Sequence, residues 1–451
     1  MGTARFIGIC SSLLLIAAGS AMAAPVDASL REPQLEALIS ATLVDSPIVA
    51  ARRGDLVAAR HEIDAARWQF APSLSTQLQR GSGSAYQYAS SVRADQRLYT
   101  GGRLTADLEG ARARRDSAVL AVQEIGLGVA LQVVAAWQSL QAANGRLTAT
   151  AAYQVRLNDF SDTINRRIDS GVSPASERSL MNARMAQAQN ELSTARAAAQ
   201  SARATLRMLS GSAPAVDSEA RLVSNLPPMS LLCADNADGD ARVAAATDRS
   251  PAMRRIGQDI EAARRALESQ RAALKPTLAL RVEQPVGALP EGVSRAARVS
   301  VLVEYSTDAG LSALARTNAG DARLGALASQ AQALRREIGQ QIRTECAEQT
   351  GLAERNTGLL RARDYTQDVL GSYTRLFLAG KRGWLDVLNA AREDFDNEVA
   401  AFATSTALRA SAYRLSLLGG DYALGLPEPG DEPPPAPLLP GITPPTEPNP
   451  S

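Results

Sequence analysis

The residue types that most often carry chemistry are scarce in this chain. His61 is the single histidine, set between Arg60 and Glu62 on a charged stretch, where it reads as a solvated side chain and not a ligand. No His/Cys/Asp cluster has zinc spacing, and no glycine-rich loop matches a phosphate cradle. A Ser-His-Asp triad would need His61, and no nucleophile motif serves it. Of the three cysteines, Cys10 falls in an apolar N-terminal stretch, which leaves Cys233 and Cys346 outside it. Neither belongs to a CxxC motif, so the chemistry open to them is a disulfide in an oxidising compartment. Sequence leaves open whether their Cα atoms approach within the roughly 7 Å that a bridge requires. No cofactor is expected and the chain is read as non-enzymatic, so any ATP hydrolysis or proton coupling must reside in a partner.

Charge narrows the classes further. Forty-eight basic and 47 acidic side chains nearly cancel, which gives no electrostatic argument for nucleic acid. Aromatics are 4% of the chain, while Ala, Arg, Gln, Leu and Glu crowd its middle, a mixture suited to long, closely approaching helices. Arg5, the apolar run Phe6 to Ala18 and the small-x-small site Ala21-Met22-Ala23 read as a signal peptide over residues 1–23. No Cys follows that signal directly, so no N-terminal lipid anchor is expected. Stretches such as Leu127–Trp137 are too short for a helical membrane span, and none is expected.

The elements that must position any site are duplicated. Ser46-Pro47 is followed 25 residues later by Pro72, and Ser250-Pro251 by Pro276 at the same interval. Ala58-Ala59-Arg60 recurs as Ala262-Ala263-Arg264, Glu124-Ile125-Gly126 as Glu337-Ile338-Gly339, and Asn190-Glu191 as Asn397-Glu398. Matches in one order at a near-constant shift mark a repeat. Each copy starts a helix with Ser at the N-cap and Pro at N1. The helix stops before Pro72 or Pro276, where proline enforces extended backbone. Alternating runs follow: Leu74, Thr76 and Leu78 in the first copy; Leu278, Leu280 and Val282, then Val299, Val301, Val303 and Tyr305, in the second. A proline-free stretch from Arg103 to Ser170 predicts a helix about 100 Å long, returning after a turn at Gly171. The second copy turns near Gly380. The expected organisation is a signal peptide at 1–23, a first repeat at 24–215, a linker at 216–245 and a second repeat at 246–424. A tail at 425–451 carries eleven of the 23 prolines and is expected to be disordered.

The alternating strands have the span of tilted transmembrane strands. One chain supplies four, too few to close a membrane barrel, and an open edge in lipid leaves backbone groups unpaired. The barrel must therefore be shared between chains, in a multiple of four strands. The alternative is a water-soluble periplasmic coiled-coil scaffold or adaptor with two incidental hairpins.

From roughly Leu35 to Leu424 the chain resembles the TolC-like outer-membrane efflux protein family. The resemblance rests on the Ser-Pro helix starts, on Pro72 and Pro276, on Leu98-Tyr99-Thr100-Gly101-Gly102, and above all on the segment Ala379 to Ala390 (AGKRGWLDVLNA). It implies a mainly α fold with a β-barrel part: a homotrimer whose twelve-stranded barrel in outer-membrane lipid continues into a helical periplasmic tunnel. It also implies docking onto a periplasmic adaptor and an inner-membrane pump. Carried onto this sequence, Gly171, Val172, Gly380 and Lys381 would form the tips that meet the adaptor. Arg382 would join a polar network closing the mouth, with Glu177 as its first-copy partner, and Asp386 would face the constriction. Family members often carry a second acid one turn on; here it is Asn389, so the ring would be less negative. The local alternative is an Arg382–Asp386 pair on one exposed helix face. Lys381 to Asp386 and Ala66-Arg67-Trp68-Gln69 look most like the branch serving type I secretion of adhesins or repeat-in-toxin proteins, through an ABC transporter. The alternative cargo is small molecules, moved by a proton-driven pump.

Overall fold

A computed structural model describes residues 33–80, 88–211, 230–234, 236–286, 296–305, 311–422 and 424–427. The expected signal peptide, residues 81–87 and the tail beyond Pro427 lie outside the described residues. In chain order the first repeat is α1 (Pro33–Asp45), α2 (Pro47–Trp68), β1 (Ser73–Arg80), β2 (Tyr88–Tyr99), α3 (Arg103–Asp169) and α4 (Ser176–Ser210). The second is α5 (Ala237–Arg249), α6 (Pro251–Ala272), β3 (Thr277–Val286), β4 (Arg298–Glu304), α7 (Ser312–Leu378) and α8 (Trp384–Gly419). Equivalent helices contain 13 and 13, 22 and 22, 67 and 67, and 35 and 36 residues. Helix length has been kept where residue identity has not.

The second repeat begins earlier than its Ser250-Pro251 start suggests. Helix α5 takes in residues 237–245, the last part of the stretch expected to be linker. Its start is fixed locally: the Asn236 side chain accepts a hydrogen bond from the Gly239 amide at 2.9 Å, and Asp238 and Asp240 sit in the first turn, where helix-dipole charge favours acids. A short 3-10 turn at Leu231–Cys233 precedes α5. Here a disulfide joins Cys233 to Cys346 of α7, with Cα atoms 5.2 Å apart.

The two hairpins form one antiparallel sheet in the order β1-β2-β3-β4. The β2–β3 pairing joins the repeats, setting Arg93 opposite Glu283 and Asp95 opposite Arg281. Directly opposed residues share a face, so the register sorts the side chains. One face carries Leu74, Leu78, Val92, Leu278, Leu280, Val282, Val299, Val301 and Val303. Leu74 and Val301 on it are 74% and 64% exposed. The other face carries Arg93, Asp95, Arg281 and Glu283, where Arg281 donates two hydrogen bonds to Asp95 at 2.6 and 3.2 Å. Strands β1 and β4 each have one unpaired edge among the described residues.

Below the sheet the helices pack into four apolar clusters, of which the one made by Ile63 and Ala66 of α2 with Leu108 and Ala111 of α3 is separate from the three that follow. The first gathers Leu35 and Ile39 of α1, Val133 and Trp137 of α3, Leu206 of α4 and Leu417 of α8. The second, towards the far end, joins Tyr153 and Ile164 of α3, Met181 of α4, Phe377 of α7 and Trp384, Leu388 and Phe395 of α8. The third holds Leu232, Val243, Ile342 and Leu415 around the disulfide. Contrary to expectation, one described helix, α3, is long and apolar enough to cross a membrane, and half of its apolar window is buried within the chain. Val133 and Trp137 of the same helix are buried in the first cluster.

The ordered chain also extends past its expected end. After α8, residues 424–427 lie back on α3, and Gln123 donates to the Pro427 carbonyl at 2.8 Å. Gly126 makes the seat: a Cβ there would stand 2.2 Å from Leu426 Cδ1, so the leucine occupies the volume a side chain would need.

Candidate functional site

The far end of the molecule is made by two helix-to-helix turns of one design. At the first, the Gly171 amide donates to Ile168 O and the Val172 amide to Arg167 O, both at 2.9 Å. At the second, Gly380 donates to Phe377 O and Lys381 to Leu376 O, also both at 2.9 Å. This double closure of a helix C-terminus requires a left-handed residue, and Gly171 and Gly380 have φ of 76° and 72°. Neither glycine has a neighbour that a Cβ would strike, so backbone conformation selects glycine at both. Val172, Leu378 and Leu385 are exposed there, as are Lys381 and Arg382.

The turns differ in their charge. In the first repeat Arg178 staples the turn, donating to Asn165 Oδ1 and to Asp169 Oδ1, each at 2.9 Å. In the second, Arg382 donates to Asp386 Oδ2 at 3.1 Å and to the Tyr373 hydroxyl at 3.2 Å, with its guanidinium 4.2 Å from the Tyr373 ring centroid. The local pairing is therefore the one adopted. The expected Arg382–Glu177 contact is not formed in the single chain, and Glu177 Oε2 is buried without a hydrogen-bond partner. Asp386 is one turn from Arg382 and Tyr373 presents its ring face to the guanidinium, so the short-range partners win. Asn389 is exposed on the next turn, while Val387 and Leu388 between them are buried. Asp386 and Asn389 thus share the face of α8 turned away from the chain's own core. Tyr373 and Arg178 escaped sequence reasoning. Their signal would have been a cation near a hairpin turn with a ring or an amide about one to three helical turns away.

Behind the turns an aromatic knot ties the repeats together. Trp384, 3% exposed, meets Phe160 of α3 edge-on at 5.6 Å and Phe377 of α7 at 4.9 Å between ring centroids. Arg167 of α3 lies 4.7 Å over Phe377. Farther up α8, Phe395 stacks on Tyr153 of α3 at 4.8 Å, and Arg392 pairs with Glu191 of α4 at 2.5 Å. Burial pushes up the pKa of Tyr153, and burial likewise raises that of Glu398 against the opposing pull of Arg363. Among the described residues no cluster of His, Cys, Asp and Glu forms a metal site.

The site thus lies at the far end of helices of 67 residues that carry a sheet with one apolar face, one charged face and two open edges. The family model for outer membrane efflux proteins matches residues 38–212. The fold is shared along nearly the whole chain with solved structures, three of which serve as examples. A membrane protein from Pseudomonas aeruginosa is 20% identical over 88% of this chain and 91% of its own, with a TM-score of 0.73. The outer-membrane channel OprN is 18% identical over 87% and 91%, also at 0.73. The outer membrane protein VceC from Vibrio cholerae is 16% identical over 86% and 96%, at 0.72. No curated protein sequence matches the chain. The sequence match covers the first repeat, and the shared fold extends through the second.

Proposed function

We propose that three copies of this chain form the outer-membrane duct of a tripartite exporter. Twelve strands then close one barrel, and the helices continue as a tunnel into the periplasm. The observation that carries this is the sheet. Its apolar face suits lipid, its Arg93, Asp95, Arg281 and Glu283 face suits a water-filled lumen, and its two open edges demand partners in a membrane. In this reading Gly171, Val172, Gly380 and Lys381 present the tips to the periplasmic adaptor. Asp386 and Asn389 line the constriction, Arg382 holds Asp386 in the closed mouth, and Glu177 faces a neighbouring copy. Purified in detergent, the full chain should have the mass of a trimer and form ion-conducting pores in a planar bilayer. Recovery as a water-soluble monomer would instead support a periplasmic scaffold.

For cargo, the Lys381 to Asp386 segment supports type I secretion driven by an ABC transporter. The family description, an efflux protein, favours small-molecule efflux through a proton-driven pump as the second reading. Affinity capture from cross-linked cells decides between them: a co-purified ATPase sustains the first, a co-purified proton-driven pump the second.

A further inference from the structure

Above the aromatic knot, the most deeply buried acid among the described residues bridges three helices. Asp394 of α8 has no exposed surface. Its Oδ2 pairs with Arg156 of α3, and its Oδ1 accepts from the Thr366 hydroxyl of α7 at 3.4 Å. Glu398, one turn farther along α8, feels Arg363 of α7, Arg156 of α3 and Asp394 itself. Helix α7 and helix α8 belong to the second repeat and α3 to the first, so Arg156 is the ion-pair partner that the first repeat supplies to Asp394. Arg392 makes the reciprocal link, from α8 to Glu191 of α4.

A buried carboxylate is tolerable only while it is paired and hydrogen-bonded. Any movement that draws the α7–α8 hairpin away from α3 strands Asp394 without its cation, and that cost rises as soon as the contact opens. A purely apolar contact resists separation less steeply, because its loss grows with exposed area. Asp394 also lies on the same helix as Asp386, two to three turns above it, so what holds Asp394 sets where Asp386 stands.

We infer that Arg156 is a positioning residue of the channel mouth: by locking Asp394 to α3 it holds the gate helix α8 in its closed place, and opening requires this lock to break. The inference rests on the duct reading above and extends it to a residue outside the tips.

The test uses the full chain in planar bilayers. The wild-type chain must first yield an oligomer that conducts; failure there refutes the duct reading and leaves the lock behind. Given a conducting wild type, Asp394→Asn and Arg156→Gln are each expected to raise the open fraction or conductance about tenfold, equivalent to about 1.4 kcal/mol. The double variant should add little, because either change breaks the same contact. If Asp394→Asn yields no oligomer, Arg156→Gln and Thr366→Val decide, the latter with a smaller rise. Unchanged conductance in these variants, with only a lowered melting temperature, would make the pair a plain structural contact and overturn the proposal.

Discussion

Trp384→Ala isolates the aromatic knot from the rest of the fold. The indole is 3% exposed and fills the space between Phe160 of α3 and Phe377 of α7. Its Nε1 has no hydrogen-bond partner, so the substitution leaves no acceptor orphaned and the loss is one of packing. A buried tryptophan removes about 200 Å² from water, worth about 5 kcal/mol at about 25 cal/mol per Å². Measured truncations of large aromatics fall at roughly 3–5 kcal/mol. The damage should stay local, because Trp384 belongs to the second apolar cluster and Trp137 to the first. Amide hydrogen exchange resolves that difference. Exchange at the end of α7 and the start of α8 should accelerate about 100- to 1,000-fold, each tenfold being about 1.4 kcal/mol, while amides around Trp137 keep their rates. An acceleration below tenfold, or an equal one at Trp137, would refute the knot as the local tie between the repeats.

Three further outcomes follow from single contacts. Cys346→Ser, or reduction, removes the bridge to Cys233 across a sequence separation of 113 residues; the chain-entropy model gives about 4–5 kcal/mol for such a loop, so the melting temperature should fall and become insensitive to reductant. Gly126→Ala should expel Leu426 from its seat at a cost of about 1–3 kcal/mol for overpacking, seen as faster chymotrypsin cleavage near Tyr422 with α3 intact. Burial raises the Glu398 pKa above 4.5, so folding favours the protonated acid and its stabilisation is lost as pH rises through the raised value; Glu398→Gln should therefore raise the melting temperature at neutral pH, with the gain vanishing below about pH 4, and a gain independent of pH would assign the effect to packing.

Much of the architecture was legible because it is written in short-range rules. Ser46-Pro47 and Ser250-Pro251 start helices, although neither serine hydroxyl caps; the fixed φ of proline at N1 suffices. Pro72 and Pro276 mark where the strands begin, and the two-residue period of Leu74–Leu78 and Val299–Tyr305 marks the face left outside. Gly171 and Gly380 mark the turns because a left-handed residue can be read from one position. Helix α5 was missed because its capping signal, Asn236 with Asp238 and Asp240, lies in a stretch without the Ser-Pro start that marks the helix after it.

The sequence alone determined the duplication, the long helices, the alternating strands and the glycine turns between helices, since each depends on residues near one another in the chain. Only the tertiary structure decided the partners. Arg382 chose Asp386 and Tyr373 over Glu177, Cys233 met Cys346, Leu426 found the gap over Gly126, and Asp394 drew Arg156 from the other repeat. These pairings join residues up to 300 positions apart, and on long helices of similar composition the register between elements selects among many equivalent cations and rings. That register is set by packing of whole helix faces, which no local pattern of residues encodes.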